Sequence, residues 1–330
     1  MQNVIQRRLA LSSVAMVLIA APFVAFAQSS NQVRIGYALP TTSHYGAGAN
    51  AWGEVVEKGS GGRYTFKHFA SSALGGEREM LEGLTLGSLD AAILSTGALS
   101  NFVPEVGVVD IPFLFSDAKH ARTVLDGPIG QDLLAKFLPK GFVALAWGEQ
   151  GFRHLTNSKR AVQKPEDFQG LKIRTMENQT HIAAFKALGA LPTPMAWPEV
   201  VTGLQQGTID GQENPLSVIV SAKLAQMQKH LTLTGHVYSP AVFFVSKQFW
   251  DGLSVSDRAA FSNGAKTGAL AMRTFVDGVE SKGVSELRAA GMQIVTGVNN
   301  EAFQRALAPA YQQYEKRFGK ALIDRIRESQ

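Results

Sequence analysis

The sequence predicts an α/β fold of two lobes facing each other across a cleft. Three observations carry that expectation. Short runs rich in β-formers alternate with amphipathic helical segments, the pattern of βαβ units and largely parallel sheets. One helix–glycine–strand unit occurs once in each half of the chain. The composition, 45% hydrophobic and 18% charged over 330 residues, is that of a globular protein with room for two domains at roughly 150 residues each.

The elements follow in order. Gln32–Ala38 alternates and is rich in β-formers, which predicts a strand, and Gly46–Lys58 is a helix with Trp52, Val55 and Val56 on one face. Tyr64–Phe69 is a strand, Glu77–Leu86 a helix closed by Gly87-Ser88, and Asp90–Leu94 the next strand. A helix over Ala118–Leu138 leads to a strand at Phe142–Trp147. Strand Leu171–Arg174, helix Gln179–Leu188 and the short strand Thr193–Met195 come next, then helix Glu199–Gln206 and strand Ile209–Gly211. The last third reads as helix Leu216–Gln228, strand Val242–Ser246, a long helix over Val255–Ala290, strand Gln293–Val295 and a closing helix Glu301–Ile326.

The repeat aligns residues 79–90 (EMLEGLTLGSLD) with 199–210 (EVVTGLQQGTID). Five of twelve positions are identical, where chance gives about one. Each copy is an amphipathic helix, a glycine stop at Gly87 or Gly207, and a strand opened by Asp. Ligands of open α/β sheets bind beyond the carboxyl ends of strands. Those ends fall at Ser95-Thr96 in one copy and Glu213-Asn214 in the other.

Residues 1–27 form an address. Arg7 and Arg8 are a basic n-region, Leu9 to Phe26 is apolar, and Ala25-Phe26-Ala27 is a small-x-small site before Gln28. This is the pattern of a cleaved secretory signal peptide, so the mature chain is expected to be exported to a periplasm. Removing Arg7 and Arg8 from the 32 basic residues leaves 30 against 27 acidic ones, a scattered +3 that argues against a nucleic-acid partner. The chain contains no cysteine, which excludes disulfides, thiol catalysis, thiolate metal sites and a lipidated N-terminus.

Catalytic motifs are scarce. G-x-S-x-G, H-E-x-x-H and the phosphate-binding G-x-x-x-x-G-K-[ST] are all missing, and the seven histidines show no zinc spacing. Seven residues separate Ala38 from Gly46-Ala47-Gly48-Ala49-Asn50-Ala51, too many for a dinucleotide turn. Neither an enzyme activity, nor a cofactor, nor a metal is expected. The arginines are more informative. Arg174 ends a strand in GLKIRTMEN, and Arg153 follows a strand in WGEQGFRHLTN. A guanidinium at the mouth of a strand pairs bidentately with a carboxylate, and Asn214 adds an amide hydrogen to the same anion.

The stretch from Gly170 to Pro240 resembles the solute-binding proteins of TRAP transporters, the tripartite ATP-independent periplasmic carriers. The residues that carry the resemblance are Gly170-Leu171-Lys172-Ile173-Arg174, Ala187-Leu188-Gly189-Ala190, Pro194-Met195-Ala196-Trp197 and the run Leu204-Gln205-Gln206-Gly207-Thr208-Ile209-Asp210-Gly211-Gln212-Glu213-Asn214-Pro215. Weaker similarity covers the whole mature chain, including Leu74-Gly75-Gly76-Glu77 and Gly87-Ser88-Leu89-Asp90. The resemblance implies a two-lobed periplasmic-binding-protein fold with a long connecting helix, closing on an organic acid. It places the anchoring arginine at Arg174, its amide partner at Asn214, the aromatic that packs on the ligand at Trp197 and a second arginine at Arg153. Many members have Pro where this chain has Met176. The implied partners are a small organic acid and the membrane permease subunits, with the binding protein itself a monomer.

On this reading lobe I comprises residues 28–150 and 240–280, and lobe II comprises 151–239 and 281–330. His44, Tyr45, Glu77, Ser95, Thr96 and Asn101 are the candidate cleft residues of lobe I. An ionised Glu77 accepts hydrogen bonds from sugar hydroxyls and repels a second ligand carboxylate. That favours a sugar acid such as a uronate or aldonate. The alternatives are a C4-dicarboxylate, a 2-oxo or hydroxy acid, or a ligand-sensing module for a receptor kinase.

Overall fold

The computed structural model describes residues 30–329; the expected signal peptide at 1–27 and its cleavage site lie outside them. The chain runs β1 (Asn31–Gly36), α1 (His44–Gly59), β2 (Tyr64–Phe69), α2 (Glu77–Leu86), β3 (Ala91–Ser95), α3 (Thr96–Leu99), α4 (Ala118–Asp126), α5 (Pro128–Ala135) and β4 (Phe142–Asn157). It continues with β5 (Lys172–Thr175), α6 (Gln179–Ala187), β6 (Leu191–Pro194), α7 (Trp197–Gln206), β7 (Gly211–Pro215), α8 (Leu216–Ser221) and β8 (His230–Ser246). It ends with α9 (Lys247–Asp251), α10 (Val255–Ala289), β9 (Gln293–Val295), α11 (Asn300–Ala306), α12 (Ala308–Phe318) and α13 (Lys320–Glu328).

The strands form one sheet in the order β2-β1-β3-β8-β4-β7-β5-β6, with β9 added to β8. The order is nearly palindromic. β1 lies parallel between β2 and β3, and β5 lies parallel between β6 and β7. The repeat seen in the sequence has a structural counterpart. α2 and α7 both end on a left-handed glycine, Gly87 at φ 73° and Gly207 at φ 70°. The aspartate that opens each following strand then reaches the neighbouring strand: Asp90 accepts from the Arg34 backbone N–H (2.8 Å), and Asp210 accepts from that of Lys172 (2.9 Å).

The centre of the sheet differs from the expected parallel arrangement. β3–β8, β8–β4 and β4–β7 are antiparallel, so the sheet is mixed. β4 and β8 are also far longer than the strands expected at Phe142–Trp147 and Val242–Ser246, at 16 and 17 residues. Gly148, Gly151, Gly235 and Pro240 look like strand breakers in sequence. Here the ladder absorbs its irregularities as register shifts, between Ala144/Ala146, Glu149/Gly151 and Arg153/Leu155, and both strands run through the two halves of the molecule.

Several helices are shorter than expected, for local reasons. The segment 118–138 breaks at Gly127-Pro128, since a proline is tolerated at a helix start but not inside. The closing helix divides at Pro309 and at Gly319, and α8 stops at Ser221.

Trp52, Ile35, Phe243, Phe261 and Met272 fill one face of the first half of the sheet, and Leu81, Leu94, Phe137 and Phe244 the other. The second half buries Ile173, Phe168, Phe185 and Phe303 on one side and Val200, Ile209, Leu231 and Leu287 on the other. α10 belongs to both halves, through Phe261 and Met272 at one end and Leu287 at the other. The expected division placed residues 281–330 with the second lobe. Instead α12 and α13 give Ala310, Tyr314, Ile323 and Ile326 to the core of the first half. Among the described residues no helix is long and apolar enough to cross a membrane.

Candidate functional site

The symmetry of the sheet gathers the carboxyl ends of two oppositely running parallel pairs, β1 with β3 and β5 with β7, around one cavity. Ala38 and Leu39 follow β1, Ser95 ends β3, Arg174 and Met176 sit at the end of β5, and Asn214 sits near the end of β7. Tyr45, Glu77, Gln150, Trp197 and Val218 complete the lining. Glu77 and Trp197 occupy equivalent positions at the starts of the two repeat helices, one per half. The cavity is narrow, about 30 Å³, room for a water or two, and it is not sealed from solvent. A wider hollow of about 620 Å³, beside Phe113 and Tyr311, lies away from the strand ends and has partly exposed charges rather than a buried unpaired one.

Arg174 dominates the chemistry of this cavity. It is only 2% exposed, because β5 is an interior strand and the residue faces the cleft. Its Nε and Nη2 both donate to the Met195 carbonyl, at 2.9 and 2.6 Å, which aims the guanidinium while leaving Nη1 without a protein partner. Its guanidinium carbon lies 5.8 Å from the centre of the Trp197 ring. Among the described residues it forms no ion pair. Burial without a contacting carboxylate pulls its pKa down to about 10. Opposite, Glu77 accepts from the Ser95 backbone N–H at 2.6 Å, and burial pushes it up to about 7. Gln150 donates to Ser239 Oγ and the Pro240 carbonyl (3.1 and 3.3 Å), and Asn214 donates to Gln212 Oε1 at 2.5 Å. Both amides keep capacity for a ligand.

Seven of the expected cleft residues therefore line the cavity: Arg174, Asn214, Trp197, Met176, Glu77, Tyr45 and Ser95. Four do not. Arg153 is paired with Glu213, Nε to Oε2 at 2.5 Å and Nη2 to Oε1 at 2.8 Å; Nη2 also donates to the Glu213 carbonyl and Nη1 to Ser239. It lies inside β4, not in a turn after a strand, and cross-strand pairing with β7 delivers the acid to it. Thr96 donates to Asp110 Oδ1 at 2.7 Å instead of facing the cleft. His44 lies buried behind Tyr45, ring centres 4.6 Å apart, with neither nitrogen hydrogen-bonded and burial holding it neutral, pKa about 3. Asn101 donates to the Glu177 carbonyl at 2.6 Å, outside the cavity.

That last contact joins the halves beside the cleft, and it is not alone. Another is buried: Asn178 Nδ2 donates to Asp110 Oδ2 at 2.7 Å while its Oδ1 caps α6. The sequence reading missed Gln150, Ala38, Leu39 and Val218. The strand-end rule already pointed to Ala38 and Leu39, whereas Gln150 was hidden in a segment that looked like a turn.

The DctP family model, bacterial extracellular solute-binding protein family 7, matches residues 35–317. A TRAP periplasmic solute binding protein from Bordetella bronchispeptica, with density interpreted as pantoate, is 58% identical and superposes with a TM-score of 0.90, covering 91% of this chain and 100% of that one. Another from Polaromonas sp JS666, bound to D-erythronate, is 53% identical with a TM-score of 0.90, covering 91% and 99%. The 2,3-diketo-L-gulonate-binding periplasmic protein YiaO of Escherichia coli (strain K12) is 37% identical over 300 residues, 90% of this chain and 92% of that protein.

Proposed function

The chain belongs to family 7 of the bacterial extracellular solute-binding proteins, and from that membership we propose that it captures a hydroxylated monocarboxylate in the periplasm and hands it to a TRAP membrane permease. One observation carries the reading. Among the described residues Arg174 is a buried cation with no acid in contact, held in place by the Met195 carbonyl and facing a narrow cavity. A buried charge without a partner is costly, and a ligand carboxylate removes that cost. Charge-assisted hydrogen bonds of about 1.5–3 kcal/mol each, from Arg174, Asn214 and Gln150, are enough for micromolar binding at about −8 kcal/mol. Arg153 then acts through Glu213 and Ser239, shaping the wall behind the anchor.

The rest of the cavity supports the choice of acid. Glu77, only part ionised near neutrality, exchanges hydrogen bonds with hydroxyls, while Ala38, Leu39, Val218 and Trp197 suit a carbon chain. The acids held by the Bordetella and Polaromonas proteins, pantoate and D-erythronate, are of this kind. The protein is exported by a signal peptide cleaved after Ala27 and acts as a monomer. Its lobes divide as 28–150 with 240–280, and 151–239 with 281–307, with α13 riding on the first and α12 bridging the two, its Tyr314 hydroxyl donating to the Thr180 carbonyl at 2.7 Å. Binding and release replace catalysis, and closure of the lobes presents the occupied face to the permease.

Thermal-shift measurements test this, because ligand raises stability as RT ln(1 + [L]/Kd). Pantoate or D-erythronate should raise the melting temperature of wild type. Arg174→Lys keeps the charge but loses the planar fork, so affinity should fall by about a hundredfold with an unchanged ligand-free melting point. Succinate binding about tenfold tighter than every monocarboxylate would overturn the ligand class. No response to any acid would overturn the function.

A further inference from the structure

Arg174 lies near the carboxyl end of β5, and Met176 is the first residue beyond that strand, two positions on. Both line the cavity. Two strand residues advance the backbone by roughly 6.7 Å. A ligand whose carboxylate is held at Arg174 therefore has its far end near Met176.

Met176 does not stop at its own half of the molecule. Its Sδ lies 3.6 Å from Ser95 Oγ across the cleft. A Cβ placed on Gly97 would stand 2.4 Å from that sulfur and 3.0 Å from Cε, closer than atoms approach. The thioether fits only because residue 97 has no side chain. The methionine thus spans the cleft and forms the end wall of a cavity already reduced to about 30 Å³. Methionine suits this task, being unbranched and able to fill an irregular gap.

Building on the reading of Arg174 as the carboxylate anchor, we infer that Met176, seated on Gly97, sets the length of the ligand, admitting acids with a four-carbon main chain, hydroxylated or branched, and rejecting open-chain six-carbon acids. A four-carbon acid ends at the thioether. A six-carbon acid has to push it off Gly97 and keep the lobes apart.

Calorimetry on the mature protein with D-erythronate and D-galactonate tests this. Wild type should bind erythronate at least about tenfold tighter. Met176→Ala should move the ratio toward galactonate by about tenfold or more, and Met176→Leu, which restores bulk, should keep the wild-type order. Gly97→Ala should weaken both acids, and adding Met176→Ala to it should restore binding, because the clash is between those two side chains. Galactonate binding as tightly as erythronate in wild type, or an unchanged ratio in Met176→Ala, would overturn the inference while leaving the anchor standing. If wild type binds neither acid nor any other monocarboxylate, the anchor itself fails and takes the length limit with it.

Discussion

Two buried arginines have opposite fates here. Arg153 meets Glu213 and is satisfied within the protein; Arg174 meets only a carbonyl and is left with charge to offer. In the sequence both stand near strand ends, and nothing local separates them. The deciding residue, Glu213, comes from β7, and only the cross-strand register shows which arginine it faces. Arg174, Asn214 and Trp197 were legible because their surrounding motifs are distinctive, Arg153 was not. Glu77 carries a prediction of its own. Burial raises its pKa from 4.5 to about 7, so the folded state holds this proton more tightly than the unfolded chain does. Its contribution to stability is present below about pH 4.5 and is lost as pH rises toward 7. His44 and His154, both kept neutral by burial, act oppositely over part of that range, so the comparison with wild type isolates Glu77. Relative to wild type, the urea midpoint of Glu77→Gln should be higher at pH 8 than at pH 5. A difference that does not change with pH would contradict the buried carboxylate.

At the level of elements, α2–β3 and α7–β7 were readable because each copy obeys one local grammar: amphipathic helix, left-handed glycine, aspartate at the strand start. The aspartates earn their place by fixing the neighbouring strand, Asp90 at Arg34 and Asp210 at Lys172. β4 and β8 were half-hidden, since glycine and proline bulges inside long strands look like turns until the partner strand is known. The same ignorance of tertiary partners concealed contacts that join the halves, Asn101 to Glu177 and Asn178 to Asp110. Asn101 touches no part of the cavity, so its removal probes closure alone. Losing one net hydrogen bond of about 1 kcal/mol in the closed form should weaken ligand binding about fivefold in Asn101→Ala, with the order of ligands preserved. Calorimetry giving a wild-type Kd would show that the contact does not favour the closed form.

For the molecule as a whole, the palindromic sheet explains why one ligand sits between two similar halves: each half contributes the carboxyl ends of its own parallel strands. The alternation of strands and helices was enough to expect this. The position of α12 and α13 was not, because their apolar faces fit either half and only packing chooses. They deliver Tyr314, Ile323 and Ile326 to a core built mainly from residues 80–152 and 238–244, with Ala183 and Ala187 of α6 packed against it. At about 1.5–3 kcal/mol for each large side chain, that is some 5 kcal/mol or more of a total near 5–15. A chain ended after Leu307 should therefore be largely unfolded by circular dichroism at 25 °C; a cooperative melt near the wild-type temperature would contradict this. The arrangement also has a consequence for biosynthesis. The core that opens with Met80 is not complete until Ile326 has been made, and β8 must arrive before the sheet has a centre. The growing chain thus stays without this core through nearly all of translation, with long-range pairings that form slowly.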